Sequence, residues 1–144
     1  MICLRKISAQ ALFLILFITV SALPASSQTT RMGAVQAYEL SNRGDIILID
    51  VRTPAEWKKT GIGASARAIS MHLPGFFDKI NAVVRGDKSK AIALICARGN
   101  RSNRMQAALV ERGYTNVIDV AEGMLGSRAG PGWIARGLPL VNPG

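Results

Sequence analysis

Two apolar patterns alternate along the chain. The first is a short, nearly unbroken run, seen in "DIILIDV", "AIALIC" and "NVIDV". Runs of this length, rich in isoleucine and valine, predict strands buried on both faces. They fall at 46–51, 91–96 and 116–120, with a further strand in "ARAIS" at 66–70. The second pattern has helical spacing. "AVQAYELSNRG" places Val35, Ala37, Tyr38 and Leu40 in helical register and stops at Gly44. "TPAEWKK" has Thr53 as an N-cap, Pro54 at the first helical position and Glu56 in the first turn, so a short helix should end near Gly61. "PGFFDKINAVVRG" sets Phe76, Phe77, Ile80, Val83 and Val84 on one stripe. "SNRMQAALVERG" carries Met105, Ala108 and Leu109 and stops at Gly113. "GWIARG" predicts a last short helix. Residues 28–32 read as a polar lead-in, and "LPLVNPG" as a trailing segment.

Apolar strands alternating with amphipathic helices predict an α/β fold, with a mostly parallel central sheet flanked by helices on both faces. Ligands in such sheets bind beyond the carboxyl ends of the strands. Two stretches fall there: "DVRT" after the first strand and "CARGNRS" after the third.

The N-terminus is of another kind. Arg5 and Lys6 precede an apolar run from 11 to 23, and small residues follow around Ala22, Ala25 and Ser27. That order is the n-region, h-region and cleavage zone of a secretory signal peptide. The run is shorter than the ~20 residues of a membrane-spanning helix. The expected organisation is a signal at 1–27 and a single domain at 28–144, exported to a bacterial periplasm without stable membrane insertion. An uncleaved N-terminal anchor facing the periplasm is the alternative.

The chain has 144 residues and a formal charge of +9; without Arg5 and Lys6, 16 basic residues face 9 acidic ones. A basic balance favours anionic partners. An export signal, and the lack of interleaved basic and aromatic residues, argue against nucleic acid. Of the two cysteines, Cys3 lies in the signal, which leaves Cys96 alone. A single cysteine in an exported domain points to a reactive thiol or an intermolecular partner, the other reading being an inert buried one.

The neighbours of Cys96 favour the reactive reading over the inert one. Ser102 opens the following helix as N-cap or first-turn residue, and Ala97, Arg98, Gly99, Asn100 and Arg101 form a tight connection. Gly99 and Asn100 can take unusual backbone angles. A loop so curled aims several N–H groups at one spot, beside the positive end of a helix. Helix N-termini and nearby guanidinium groups favour the thiolate, which is the nucleophilic form. Arg98 and Arg101 can hold oxyanions through charge-assisted hydrogen bonds.

These residues carry a family resemblance. "LIDVRTPAEW", "ALICARGNRS", "ALVERGYTNVIDVAEGM" and "GWIARGLPL", in that order, resemble a single rhodanese-homology domain. Cys96, Gly99 and Arg101 match that family's loop pattern of cysteine, two residues, glycine, any residue, arginine. The resemblance implies sulfur transfer without metal or organic cofactor. Cys96 would take a sulfane sulfur from a small anionic donor such as thiosulfate, become a persulfide, and pass the sulfur to a thiol, cyanide or a protein acceptor. There are two departures. "TGIGASARAIS" stands where many members carry a "GHIPGA"-like segment, and arginine is shifted from the second loop position, Ala97, to Arg98.

Other residues take supporting or structural readings. Asp50 and Arg52 are expected to form an ion pair that supports the loop geometry. His72 reads as a surface or loop-packing residue, and Trp57 and Trp133 as packing anchors. Gly123 and Gly126 serve turns, since no phosphate-binding pattern follows them. Two rival functions remain. One is a rhodanese-like binding module without catalysis, against which the intact Cys96 argues. The other is a phosphatase or arsenate reductase of related shape. There the cysteine and arginine are separated by five residues, whereas four separate Cys96 from Arg101, and the shorter loop should fit a sulfur atom better than a tetrahedral phosphate.

Overall fold

The computed structural model describes residues 30–143. The signal-peptide reading of 1–27 therefore lies outside the described residues. Among the described residues, no helix is long and apolar enough to cross a membrane.

The three apolar runs become the centre of one sheet. Strands β1 (Thr30–Met32), β2 (Ile47–Asp50), β4 (Arg67–Ala68), β5 (Ile92–Ile95) and β6 (Val117–Val120) lie in the order β1-β6-β5-β2-β4, and all pairs are parallel. Strand β5 sits in the middle, and each of its residues is buried. Its side chains alternate between two cores. Ile92 and Leu94, followed by Cys96, face one layer with Phe76, Ile80 and Leu109, while Ala93 and Ile95 face the other with Ala34, Leu48, Met124 and Trp133.

Four helices cover these layers: α1 (Ala34–Arg43), α2 (Pro54–Thr60), α3 (Phe76–Val84) and α4 (Asn100–Glu111). Helix α2 starts with a complete capping box. Thr53 Oγ1 accepts from the Glu56 N–H at 3.3 Å, and the Thr53 N–H donates to Glu56 Oε2 at 3.0 Å. The stripe of α3 buries Phe76, Ile80 and Val84, with Phe77 and Val83 packed alongside. In α1 the inward positions are Ala34 and Ala37, whereas Val35 is exposed. Both tryptophans are buried, and Trp133 meets Tyr38 edge to face.

The structure corrects several element boundaries. The polar lead-in ends in an edge strand, β1, which pairs with β6. The trailing segment contains β7 (Leu140–Val141), which pairs antiparallel with β3 (Ile62–Gly63). "GWIARG" is a turn rather than a helix. Gly132 and Gly137 both sit at positive φ and confine it to one turn while Trp133 plunges into the core. Helix α4 begins at Asn100, two residues before Ser102, with Gly99 as its N-cap at φ 85°. Asn100 is therefore an ordinary first helical residue, and Gly99 alone supplies the positive φ of the connection.

Candidate functional site

The site lies where β5 ends and α4 begins. Cys96 is 1% exposed and forms no disulfide among the described residues. Among the described residues, the backbone N–H groups of residues 97–102 have no acceptor, and the first bonded amide is that of Asn103, to the Gly99 carbonyl at 3.0 Å. The last three of these amides belong to the first turn of α4, where orphan donors are expected. The connection that curls at Gly99 thus leaves a run of unspent donors in the residues that directly follow Cys96.

The floor of this loop comes from the segment after β6. The Met124 N–H donates to the Cys96 carbonyl and the Leu125 N–H to the Ala97 carbonyl, each at 2.8 Å. Gly123 makes that approach possible, since a Cβ there would stand 2.5 Å from the Ala97 oxygen. Buried Glu122 ties the segment to the fold. Its carboxylate accepts from the Ala34 and Gly132 amides and from Arg136. Burial pushes its carboxyl up, but these hydrogen bonds together hold it below the ordinary range.

The two loop arginines occupy different places. Arg101 is gripped by Glu56, with Nη1 to Oε2 at 2.8 Å and Nη2 to Oε1 at 2.5 Å. The exposed His72 ring lies 3.4 Å from the same guanidinium. Arg98 points away toward the Gly126 carbonyl, 3.4 Å from Nη1, and lines a cavity of about 390 Å³ with Arg31, Arg128, Asn100 and Asn103. Ser102, fully buried in the first turn of α4, puts its Oγ 3.4 Å from Cys96 Sγ. Asp50 and Arg52 are both fully buried and bidentately paired, with Arg52 also reaching Thr60 Oγ1 and the Gly61 carbonyl. Their hydrogen bonds tie the end of β2 to the end of α2, and none reaches residues 96–102.

Glu56 was legible only as a helix-start charge. The capping box fixes its position, but its partner is 45 residues away. Asp119 and Glu122 left no local signal beyond a charged residue in or beside an apolar run.

Arg101 holds the Glu56 carboxyl down at about 2 from an ordinary 4.5, with Thr53 adding to the effect and burial opposing it. A depressed folded-state value means that the bridge contributes stability above pH 4.5 and loses it as the pH falls toward about 2. Glu56→Gln is therefore expected to lower stability by about 1 kcal/mol at neutral pH, because the pair is partly solvated. The gap from wild type should close below pH 4.5. Urea midpoints over a pH series check this, and a gap constant with pH would contradict it.

Comparison with known proteins settles the family. Residues 33–129 match the Rhodanese-like domain family. The chain belongs to that family. A curated sulfurtransferase from Allochromatium vinosum is 31% identical over 108 residues, covering 74% of this chain and 89% of the relative. Among solved structures, the rhodanese-like domain resembles the polysulfide-sulfur transferase homodimer of Wolinella succinogenes, with a TM-score of 0.57 and 25% identity over 80% of each chain. It also resembles Rv0390 of M. tuberculosis, with a TM-score of 0.61 and 25% identity over 79% of this chain and 98% of that one. A rhodanese-like domain from Anabaena, at 18% identity and a TM-score of 0.63 over 78% of this chain, shares the fold.

Proposed function

We propose that this rhodanese-like protein is a sulfurtransferase that moves a sulfane sulfur from a thiosulfate-like donor to a thiophilic acceptor, through a persulfide on Cys96. The observation that carries the reading is the placement of Cys96 at the end of β5, followed directly by six backbone amides that have no acceptor among the described residues. A sulfur there that gains negative charge meets preorganised donors.

The chemistry follows from the loop. The Cys96 thiolate attacks the outer sulfur of thiosulfate, a new S–S bond forms, and sulfite leaves with the electron pair of the broken one. The amides of residues 97–102 stabilise the charged persulfide. An acceptor thiolate or cyanide then takes the outer sulfur, and Cys96 leaves as thiolate. Arg101, clamped by Glu56, supplies a fixed positive charge. Arg98, with no carboxylate partner among the described residues, draws the anionic donor toward the loop. The signal-like N-terminal pattern supports a site of action outside the cytoplasm, and N-terminal sequencing of the protein recovered from the cell fraction outside the cytoplasm would test it.

The decisive experiment is incubation with thiosulfate followed by intact-mass measurement. The expected result is a one-sulfur adduct that an added thiol removes and that Cys96→Ser does not form. No adduct, or an adduct surviving in Cys96→Ser, would overturn the reading. Phosphate-ester hydrolysis lost with Cys96 would point to the phosphatase alternative instead.

A further inference from the structure

Asp119 is a buried carboxyl that the sulfur-transfer steps above do not use. It sits on β6, where alternation turns Val117 and Asp119 toward the α4 layer and Ile118 and Val120 toward the other. At 1% exposure, a carboxyl in that row needs partners. It has Ser102 Oγ at 2.6 Å from Oδ1, and Arg31 Nε at 3.6 Å from Oδ2. Ser102 Oγ in turn lies 3.4 Å from Cys96 Sγ and 3.0 Å from the Gly99 carbonyl. A continuous chain of contacts thus runs from Asp119 through Ser102 to the reactive sulfur.

Ser102 has one hydrogen to give. An ionised Asp119 claims it, and the hydroxyl then shows lone pairs to Cys96, a setting that suits S–H. A protonated Asp119 donates to Ser102 Oγ instead, which frees the hydroxyl hydrogen for the Gly99 carbonyl at 3.0 Å or the sulfur at 3.4 Å; negative charge on the sulfur draws it there, a setting that suits a thiolate or persulfide. We propose that Asp119 is a positioning residue for sulfur transfer, sharing one proton with Cys96 through the Ser102 hydroxyl. The exchange balances within the three residues. The thiol proton passes to Ser102 Oγ as the Ser102 hydrogen passes to the Asp119 carboxylate. What remains is a thiolate, a hydroxyl aimed at it, and a neutral carboxylic acid.

Two further observations fit. Burial raises the Asp119 carboxyl above its ordinary range, against the opposing pull of Ser102 and Arg31, so it is disposed to hold a proton. Asp119 also lines the cavity shared by Arg98 and Arg128, which gives its proton a route to solvent. The charged groups around the chain are Arg31 from β1, Arg98 and Arg128 across the cavity, and Arg101 beside Cys96, itself paired with Glu56.

The proposal rests on Cys96 as the sulfur carrier, and its test reads ionisation rather than sulfur, so the two can fail separately. Thiolate ultraviolet absorbance is followed against pH in the full chain, with Cys96→Ser subtracting Cys3. Asp119→Asn keeps the shape, holds no exchangeable acid proton, and donates to Ser102 through its amide. It should displace the thiolate profile to lower pH by about half a unit or more. In a Ser102→Ala background, the displacement caused by Asp119→Asn should fall to less than half. A profile that Asp119→Asn leaves in place, or moves equally with and without Ser102, would overturn the relay. Wild-type protein gives an independent check that no folding defect can obscure. The Asp119 carboxyl carbon, followed by NMR, should show a step coincident with the rise in thiolate, and a single ordinary carboxylate step would overturn the proposal.

Discussion

Gly99→Ala is expected to slow persulfide formation on Cys96 by on the order of 100-fold or more, although Cys96 itself is unchanged. Gly99 holds φ 85°, a conformation that costs an L residue about 1–2 kcal/mol. The added methyl also meets the Ala121 carbonyl oxygen, which is backbone and has little room to give. The connection must shift, and the amides of residues 97–102 then move relative to Cys96. Gly123→Ala should act from the other side, since its methyl would press on the Ala97 oxygen at 2.5 Å. Intact mass against time after thiosulfate addition measures the loading rate. Wild-type loading in a folded Gly99→Ala variant would overturn the proposal that the amides of residues 97–102 stabilise a persulfide on Cys96.

The second large effect falls on stability. Arg52→Met should cost about 3–5 kcal/mol, because it strands a buried carboxylate. Asp50 is wholly buried and accepts from the Arg52 guanidinium and backbone, at 2.7 to 3.1 Å. In a domain whose total stability is about 5–15 kcal/mol, that loss is a large part of the whole. Asp50→Leu combined with Arg52→Met should recover much of it, since no lone charge is then left inside. Urea unfolding of both variants checks the cycle. Sulfur loading by Arg52→Met, measured below its melting temperature, should stay near wild type, because Arg52 makes no hydrogen bond with residues 96–102. A large activity loss at full folding would instead tie the pair to the loop.

Local chemistry accounts for what could be read in advance. The runs around Leu48, Leu94 and Ile118 are strands because they are apolar on both faces, and such strands need cover on both sides. Thr53, Pro54 and Glu56 announce a helix start through contacts within one turn. The Cys96 connection was legible because a nucleophile, a glycine and two arginines at short spacing carry their meaning locally. Where pairing partners are distant, the reading failed. Residues 30–32 become a strand only because β6 offers an open edge. Leu140 and Val141 do so only because Ile62 and Gly63 lie beside them. The helical pattern of "GWIARG" lost to two glycines and to the burial of Trp133.

The chain by itself determined the α/β layering, the place of Cys96 at a strand's carboxyl end and the basic character of the loop that follows. These depend on periodicity and on neighbours in sequence. Tertiary structure alone decided what each charge does. Arg101 went to Glu56, Arg98 to a separate cavity, Arg52 to Asp50, and Asp119 to the serine that touches the sulfur. A charged side chain takes the partner that the fold brings within about 3 Å, and these partners, apart from the local Asp50, come from other elements of the chain.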